Sequence, residues 1–156
     1  MSNPVTVTAQ PGTSFIDVIR EFDAPVEAVR RAFVEPDLVA EWMRPDGFTT
    51  KSIEYDVRPG GEWSFVHLDP AGTPFAFRGV FHSVGDDELT RTFEFDGWPG
   101  HVSLESVRFV DAGDGRTLVS THSVFQSIDD RDGMLASGME QGQTEGFARL
   151  DALLAD

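Results

Sequence analysis

Hydrophobic and polar positions follow two different periods along this chain. Residues Phe15 to Phe22 mix β-branched and aromatic side chains with polar ones and predict a first strand. Asp23-Ala-Pro25 then offers an acidic N-cap with proline just inside a helix start, and Val26, Val29 and Phe33 recur at helical spacing. Pro36 interrupts that stripe. Leu38, Val39 and Trp42 resume it as a second short helix, closed by the turn signal Pro45-Asp46-Gly47.

From Phe48 to Phe125 the pattern becomes β-rich, with several stretches in period two. The predicted strands are Thr49–Val57, Glu62–Leu68, Phe75–Ser83, Leu89–Phe95, Val102–Val110 and Thr117–Phe125. Their connectors are short and rich in Gly, Pro and Asp, which favours an antiparallel meander because parallel pairing needs a crossover. Phe75, Phe77, Gly79 and Phe81 alternate with Ala76, Arg78, Val80 and His82, so one face is buried and the other largely wet.

Beyond Phe125 the period lengthens again. Ser127-Ile-Asp-Asp130 resembles a capping box with Asp in place of Glu. Met134, Leu135, Met139, Phe147, Leu150, Leu153 and Leu154 share one helical side. Gly138 to Ala155 is expected to form one long helix with Met139, Phe147, Leu150 and Leu154 facing the sheet, and a kink near Gly133–Gly138 is compatible with the pattern. Gly138, Gly142 and Gly146 recur on a common face, and each interior glycine costs about 1 kcal/mol relative to Ala. Such a stripe needs a packing reason, so Gly142 is expected to approach the sheet or a ligand closely.

These elements predict an α+β helix-grip architecture. A curved antiparallel sheet wraps around a long C-terminal helix, two short helices follow the first strand, and a cavity is expected where facing side chains leave space. The length of 156 residues suits one domain, with 1–13 as a flexible or edge segment.

The stretches FDAPVEAVRRAFVEPDLVAEWMRPDGFTT, DVRPGGEWSFV, RGVF and ASGMEQGQTEGFARLDALLA carry a family resemblance, from about Phe15 to the C-terminus. Their order and spacing resemble the branch of the START-like, or SRPBCC, superfamily named after the activator of the heat-shock-protein-90 ATPase. The resemblance implies a helix-grip fold and, commonly, a hydrophobic small-molecule cavity. Among relatives of that superfamily are cyclases, aromatase-like enzymes, lipid binders and co-chaperone domains. The chain departs from the family's usual pattern at four places. Met43, followed by Arg44, stands where a second aromatic often follows Trp42, and His67 takes a position that is commonly apolar. Arg91 replaces a common aromatic, and Gln143 lies where a Trp is frequent. All four changes reduce aromatic bulk or add polarity.

Charge narrows the partners. With 27 acidic against 12 basic residues the formal net charge is −15, a field that repels phosphate backbones and anionic lipid surfaces. No nucleic acid or membrane partner is expected, and no apolar run is long enough to span a bilayer. Absence of cysteine excludes disulfides, thiolate nucleophiles and Cys-ligated metals and fits a cytoplasmic setting. The first residues lack the basic start and apolar stretch of a secretory signal.

Candidate chemistry comes from polar residues assigned to the concave face. Alternation puts His67 with Trp63 and Phe65, Arg91 with Leu89 and Phe93, Glu105 with Val107 and Phe109, and His122 with Leu118, Ser120 and Val124. Two imidazoles, a guanidinium and a carboxylate could orient a polar ligand or supply acid–base groups. They could equally form an Arg91–Glu105 ion pair with two hydrogen-bonded histidines at the rim. His67, His82, His101 and His122 show no metal-ligand spacing, and no GxSxG elbow or phosphate loop is present, so neither metal nor cofactor is expected.

The candidate ligand-binding residues are therefore Trp42, Met43, Trp63, Phe65, His67, Phe77, Arg91, His122, Met139 and Gln143. The leading reading is a non-enzymatic binder of a hydrophobic or amphipathic small molecule between helix and sheet, with Arg91 positioned for a ligand carboxylate or carbonyl. A second is a cyclase-, dehydratase- or hydrolase-like enzyme on an aromatic or polyketide-like substrate, using His67 or His122. A third is a co-chaperone-like interaction module, with the least support for a chaperone partner; a homodimer is compatible with each.

Overall fold

Short connectors hold the β-rich stretches beside their sequence neighbours. The computed structural model describes residues 3–155, in which β1 (Thr6–Thr8) and β2 (Phe15–Phe22) precede two helices, α1 (Val26–Val34) and α2 (Pro36–Trp42). Six strands follow: β3 (Thr49–Tyr55), β4 (Glu62–Leu68), β5 (Pro74–Val84), β6 (Glu88–Phe95), β7 (Val102–Gly113) and β8 (Arg116–Val124). Two helices, α3 (Ile128–Ala136) and α4 (Met139–Leu154), end the fold.

The eight strands form one antiparallel sheet in the order β1-β2-β8-β7-β6-β5-β4-β3. The meander from β3 to β8 closes on β2, which pairs with β8 from Phe15↔Val124 to Phe22↔Thr117. Bulges between Thr50 and Ser52, between Phe81 and Ser83 and between Asp111 and Gly113 interrupt the ladders. Such bulges bend and twist a strand locally. No helix among the described residues is long and apolar enough to cross a membrane.

Apolar burial gathers in two clusters. One packs Phe147 and Leu150 of α4 with Val29, Phe33 and Trp42 from the short helices and Ile16, Val18, Phe22, Phe109 and Val119 from the sheet. Trp63, Phe65 and Phe81 form the other, on β4 and β5. Phe22 meets Phe147 edge to face at 5.3 Å, a favoured geometry for aromatic pairs. Arg20, 3% exposed, donates from both terminal nitrogens to Asp151 at 2.6 Å and so clamps β2 to α4.

Several local expectations are corrected. Asp23 does not cap α1: Pro25 occupies the N-cap, and the Asp23 carboxylate accepts from Asn3 at 3.3 Å. Ser127 does cap α3, accepting from the Asp130 amide at 3.0 Å, but the reciprocal arm is missing because the Asp130 carboxylate turns to His101. The C-terminal helix starts at Met139, since Gly138 takes φ +87° and breaks the chain between α3 and α4. The close approach lies at Gly146, not Gly142. A Cβ on Gly146 would stand 2.9 Å from the Trp42 carbonyl oxygen, whereas one on Gly142 would meet Pro45 at an ordinary 3.7 Å.

The phase of the last strand is also reversed. Thr117, Val119, Thr121 and Ser123 are buried, while Leu118, Ser120, His122 and Val124 point outward. Pairing forces this, because Ile16, Val18 and Phe22 of β2 face the core and directly opposed residues share a face. The inward hydroxyls are tolerable where they find acceptors; Thr117 donates to the Ala24 carbonyl at 2.7 Å.

Candidate functional site

Between the two apolar clusters the facing side chains of α4 and the sheet do not meet. The space they leave is a cavity of about 540 Å³. Aromatic side chains from the strands dominate its wall, among them Phe65, Phe75, Phe77, Phe81, Phe93 and Phe95. Phe77 has Phe65, Phe93 and Phe95 with ring centroids 5.1 to 5.5 Å away. From α2 and the segment after it come Trp42, Met43, Arg44 and Pro45, and α4 presents Met139, Gly142, Gln143 and Gly146.

Eight of the ten sequence-derived candidates line this space: Trp42, Met43, Phe65, His67, Phe77, Arg91, Met139 and Gln143. Trp42 is anchored by an indole N–H donating to the Ala32 carbonyl at 2.7 Å and stacks on Phe147 at 5.9 Å. Trp63 is not a lining residue. It is 1% exposed and lies against Arg91, with its indole N–H committed to the Thr92 carbonyl at 3.1 Å.

His122 is on the opposite face. Its Nδ1 sits 2.6 Å from Asp17 Oδ1, its ring packs on Phe15 at 4.8 Å, and its side chain is 44% exposed. The inverted phase of β8 removes it from the cavity, and with it one of the two candidate imidazoles.

Arg91 faces inward and is occupied. Nε donates to Glu105 at 3.0 Å, Nη1 donates to the Tyr55 hydroxyl at 2.5 Å, and the guanidinium carbon lies 4.0 Å from the Trp63 ring centroid. Burial works against its charge, but Tyr55 and Glu105 together hold its pKa above the ordinary arginine value. Burial also pushes the Tyr55 phenol up, against the opposing pull of Arg91. This group therefore forms a paired polar knot in the wall, as buried charges generally do. Arg91 thus lines the cavity, as expected of a residue positioned for a ligand carboxylate or carbonyl, with Nε and Nη1 already engaged by Glu105 and Tyr55.

His67 is 5% exposed and stacks on Phe65, with ring centroids 4.6 Å apart and planes 12° apart. Burial lowers its pKa to about 4, and the charges of Arg44 and Arg149 add to the effect. At neutral pH it is an uncharged imidazole in the wall. Gln143 also faces the cavity, and its side-chain carbonyl oxygen is buried without a hydrogen-bond partner.

The candidate set missed several wall residues. Tyr55 shares the inward parity of its neighbours on β3, Ser103 shares that already read for Glu105, Val107 and Phe109 on β7, and Thr121 and Ser123 follow from the true phase of β8. Arg44 and Trp98 lie outside regular elements, where no periodicity assigns a face. Trp98 stacks on His101 with centroids 3.9 Å apart, and a Cβ on Gly133 of α3 would come within 3.2 Å of its ring. Among the described residues, no group of three or more His, Cys, Asp or Glu side chains could hold a metal ion.

The sequence of these elements matches residues 23–155 to the family described as Activator of Hsp90 ATPase homolog 1-like protein. The chain belongs to that family. Solved proteins share its fold over nearly their whole length. A protein from Mycobacterium smegmatis is 23% identical with a TM-score of 0.86, covering 97% of each chain. One from Rhodobacter sphaeroides is 21% identical with a TM-score of 0.88, covering 97% of this chain and 99% of its own. A third, from Chromobacterium violaceum, is 27% identical with a TM-score of 0.77 over 91% of this chain and 98% of that one. No curated protein matches the chain. Activator-homologue folds of the helix-grip type are generally ligand-binding scaffolds, and fold alone names no ligand.

Proposed function

We propose that this family member binds a hydrophobic or amphipathic small molecule in the cavity between α4 and the sheet. The observation that carries the reading is the cavity itself: about 540 Å³, walled mainly by aromatic side chains and supplied with a few fixed polar groups. That combination is characteristic of small-molecule sites, in which apolar surface gives affinity and sparse polar groups give orientation. Filling the cavity would remove apolar wall from water, and each buried methylene of the guest contributes about 0.8 kcal/mol.

Native mass spectrometry of freshly purified protein tests the proposal. A retained mass released by organic extraction supports it. A ligand-free mass, combined with no thermal stabilisation by any member of a panel of aromatic and aliphatic amphiphiles, would contradict it. Catalysis has less to stand on, because the outward position of His122 leaves His67 as the one imidazole on the wall.

A further inference from the structure

Resting on that reading, we propose that the ligand carries an anionic end, a carboxylate, and that Arg44 receives it. The argument begins with the distribution of charge. The protein carries 27 acidic residues, yet Glu105 is the sole carboxylate among the residues lining the cavity, and it is already paired with Arg91. Arg44 also lines the cavity and forms no ion pair among the described residues. Among the described residues, the one hydrogen bond of its side chain runs from Nη1 to the Phe48 carbonyl oxygen at 2.6 Å, which positions the guanidinium without neutralising it. In so acidic a chain, a half-buried arginine that lines the cavity without a carboxylate partner leaves a charge to which an anionic guest can bind.

Its surroundings suit an anion. The loop carrying Arg44 passes α4 at two glycines: a Cβ on Gly142 would lie 3.7 Å from Pro45, and one on Gly146 would lie 3.6 Å from the Arg44 carbonyl oxygen. Gln143 stands between those glycines, faces the cavity and has an unpartnered amide oxygen. An amide turned by half a revolution offers N–H to a carboxylate, and as placed it accepts from a hydroxyl or a protonated acid. Arg149 lies behind the same end, its charge compensated by Asp46. It pairs with Asp46 through Nη1, while its Nε and Nη2 are buried without acceptors. The aromatic side chains Phe77, Phe93 and Phe95 leave room for an apolar body.

A guanidinium–carboxylate contact of this kind is charge-assisted and frequently bidentate, roughly twice as strong as a neutral hydrogen bond. The proposal is tested with 1-pyrenebutyric acid and its methyl ester, titrated by fluorescence against the wild-type chain and against Arg44→Met. The acid should bind wild type about tenfold more tightly than the ester, and Arg44→Met should abolish that preference by weakening the acid far more than the ester. Arg44→Lys, which keeps the charge, should retain part of the preference, and circular dichroism of each variant establishes that it folds. Equal affinity of acid and ester for wild type overturns the proposal and leaves cavity binding intact. Binding of neither probe overturns both.

Discussion

The guanidinium carbon of Arg91 stands 4.0 Å from the centroid of the Trp63 ring, while Nε of the same group donates to Glu105 at 3.0 Å. One arginine thus joins β6, β7 and the second apolar cluster in a single contact set. The arrangement compensates the charge within the wall. Because both partners are largely buried, 12% and 20% exposed, removing one leaves the other poorly compensated. Glu105→Gln should lower stability by roughly 2–4 kcal/mol, a range set below the cost of breaking a fully buried pair. Urea unfolding measures it. A loss under about 0.5 kcal/mol would assign the pair to the surface class.

The two neighbouring glycines of α4 should respond with opposite signs. Gly146→Ala places a methyl 2.9 Å from the Trp42 carbonyl oxygen, a backbone atom that cannot swing aside. It should destabilise by about 1–3 kcal/mol through overpacking. Gly142→Ala meets only Pro45 at 3.7 Å, so the helical preference of Ala should stabilise by up to about 1 kcal/mol. Thermal unfolding of the two variants side by side decides it, and destabilisation by both would place the close approach at Gly142 as well.

His67 should make stability depend on pH. Its pKa is about 4 in the folded chain against an ordinary 6.5. Between those values the unfolded chain takes up a proton that the folded chain refuses, so stability present above pH 6.5 is lost as pH falls towards 4. At pH 4.5 this amounts to about 2–3 kcal/mol. Because carboxylates titrate in the same range, the wild type is compared with His67→Phe at pH 7.5 and 4.5. The wild type should lose more, by about that amount; parallel losses would mean that His67 titrates normally.

Much of the architecture was legible because its periods are clean. Phe15–Phe22 is rich in β-branched and aromatic residues, Glu62–Leu68 brings Trp63 and Phe65 to one face, and the strands run over those residues. The last strand failed for a physical reason. Leu118 and Val124 are apolar but face outward, while Thr117, Thr121 and Ser123 are polar and face inward, so hydrophobicity alone favours the wrong phase. The registers settle it: Thr121 stands opposite Val18 of β2, about a hundred residues away in the chain, and opposite Val107 of β7. Arg44 was invisible as a wall residue because it sits in an irregular loop whose direction depends on Gly146 admitting it close to α4. The Arg91–Glu105 pairing, by contrast, followed from parity on adjacent strands and is present.

The central claim is that ligands enter the space between α4 and the sheet, and backbone amide NMR of the full chain during titration with 1-pyrenebutyric acid tests it most directly. The account predicts shift changes concentrated at Arg44, His67, Phe77, Met139 and Gln143, with little change at the outward-facing Ser106 and His122. Changes concentrated instead around the exposed Phe15, Ile19 and Leu104 of the outer sheet face would contradict it.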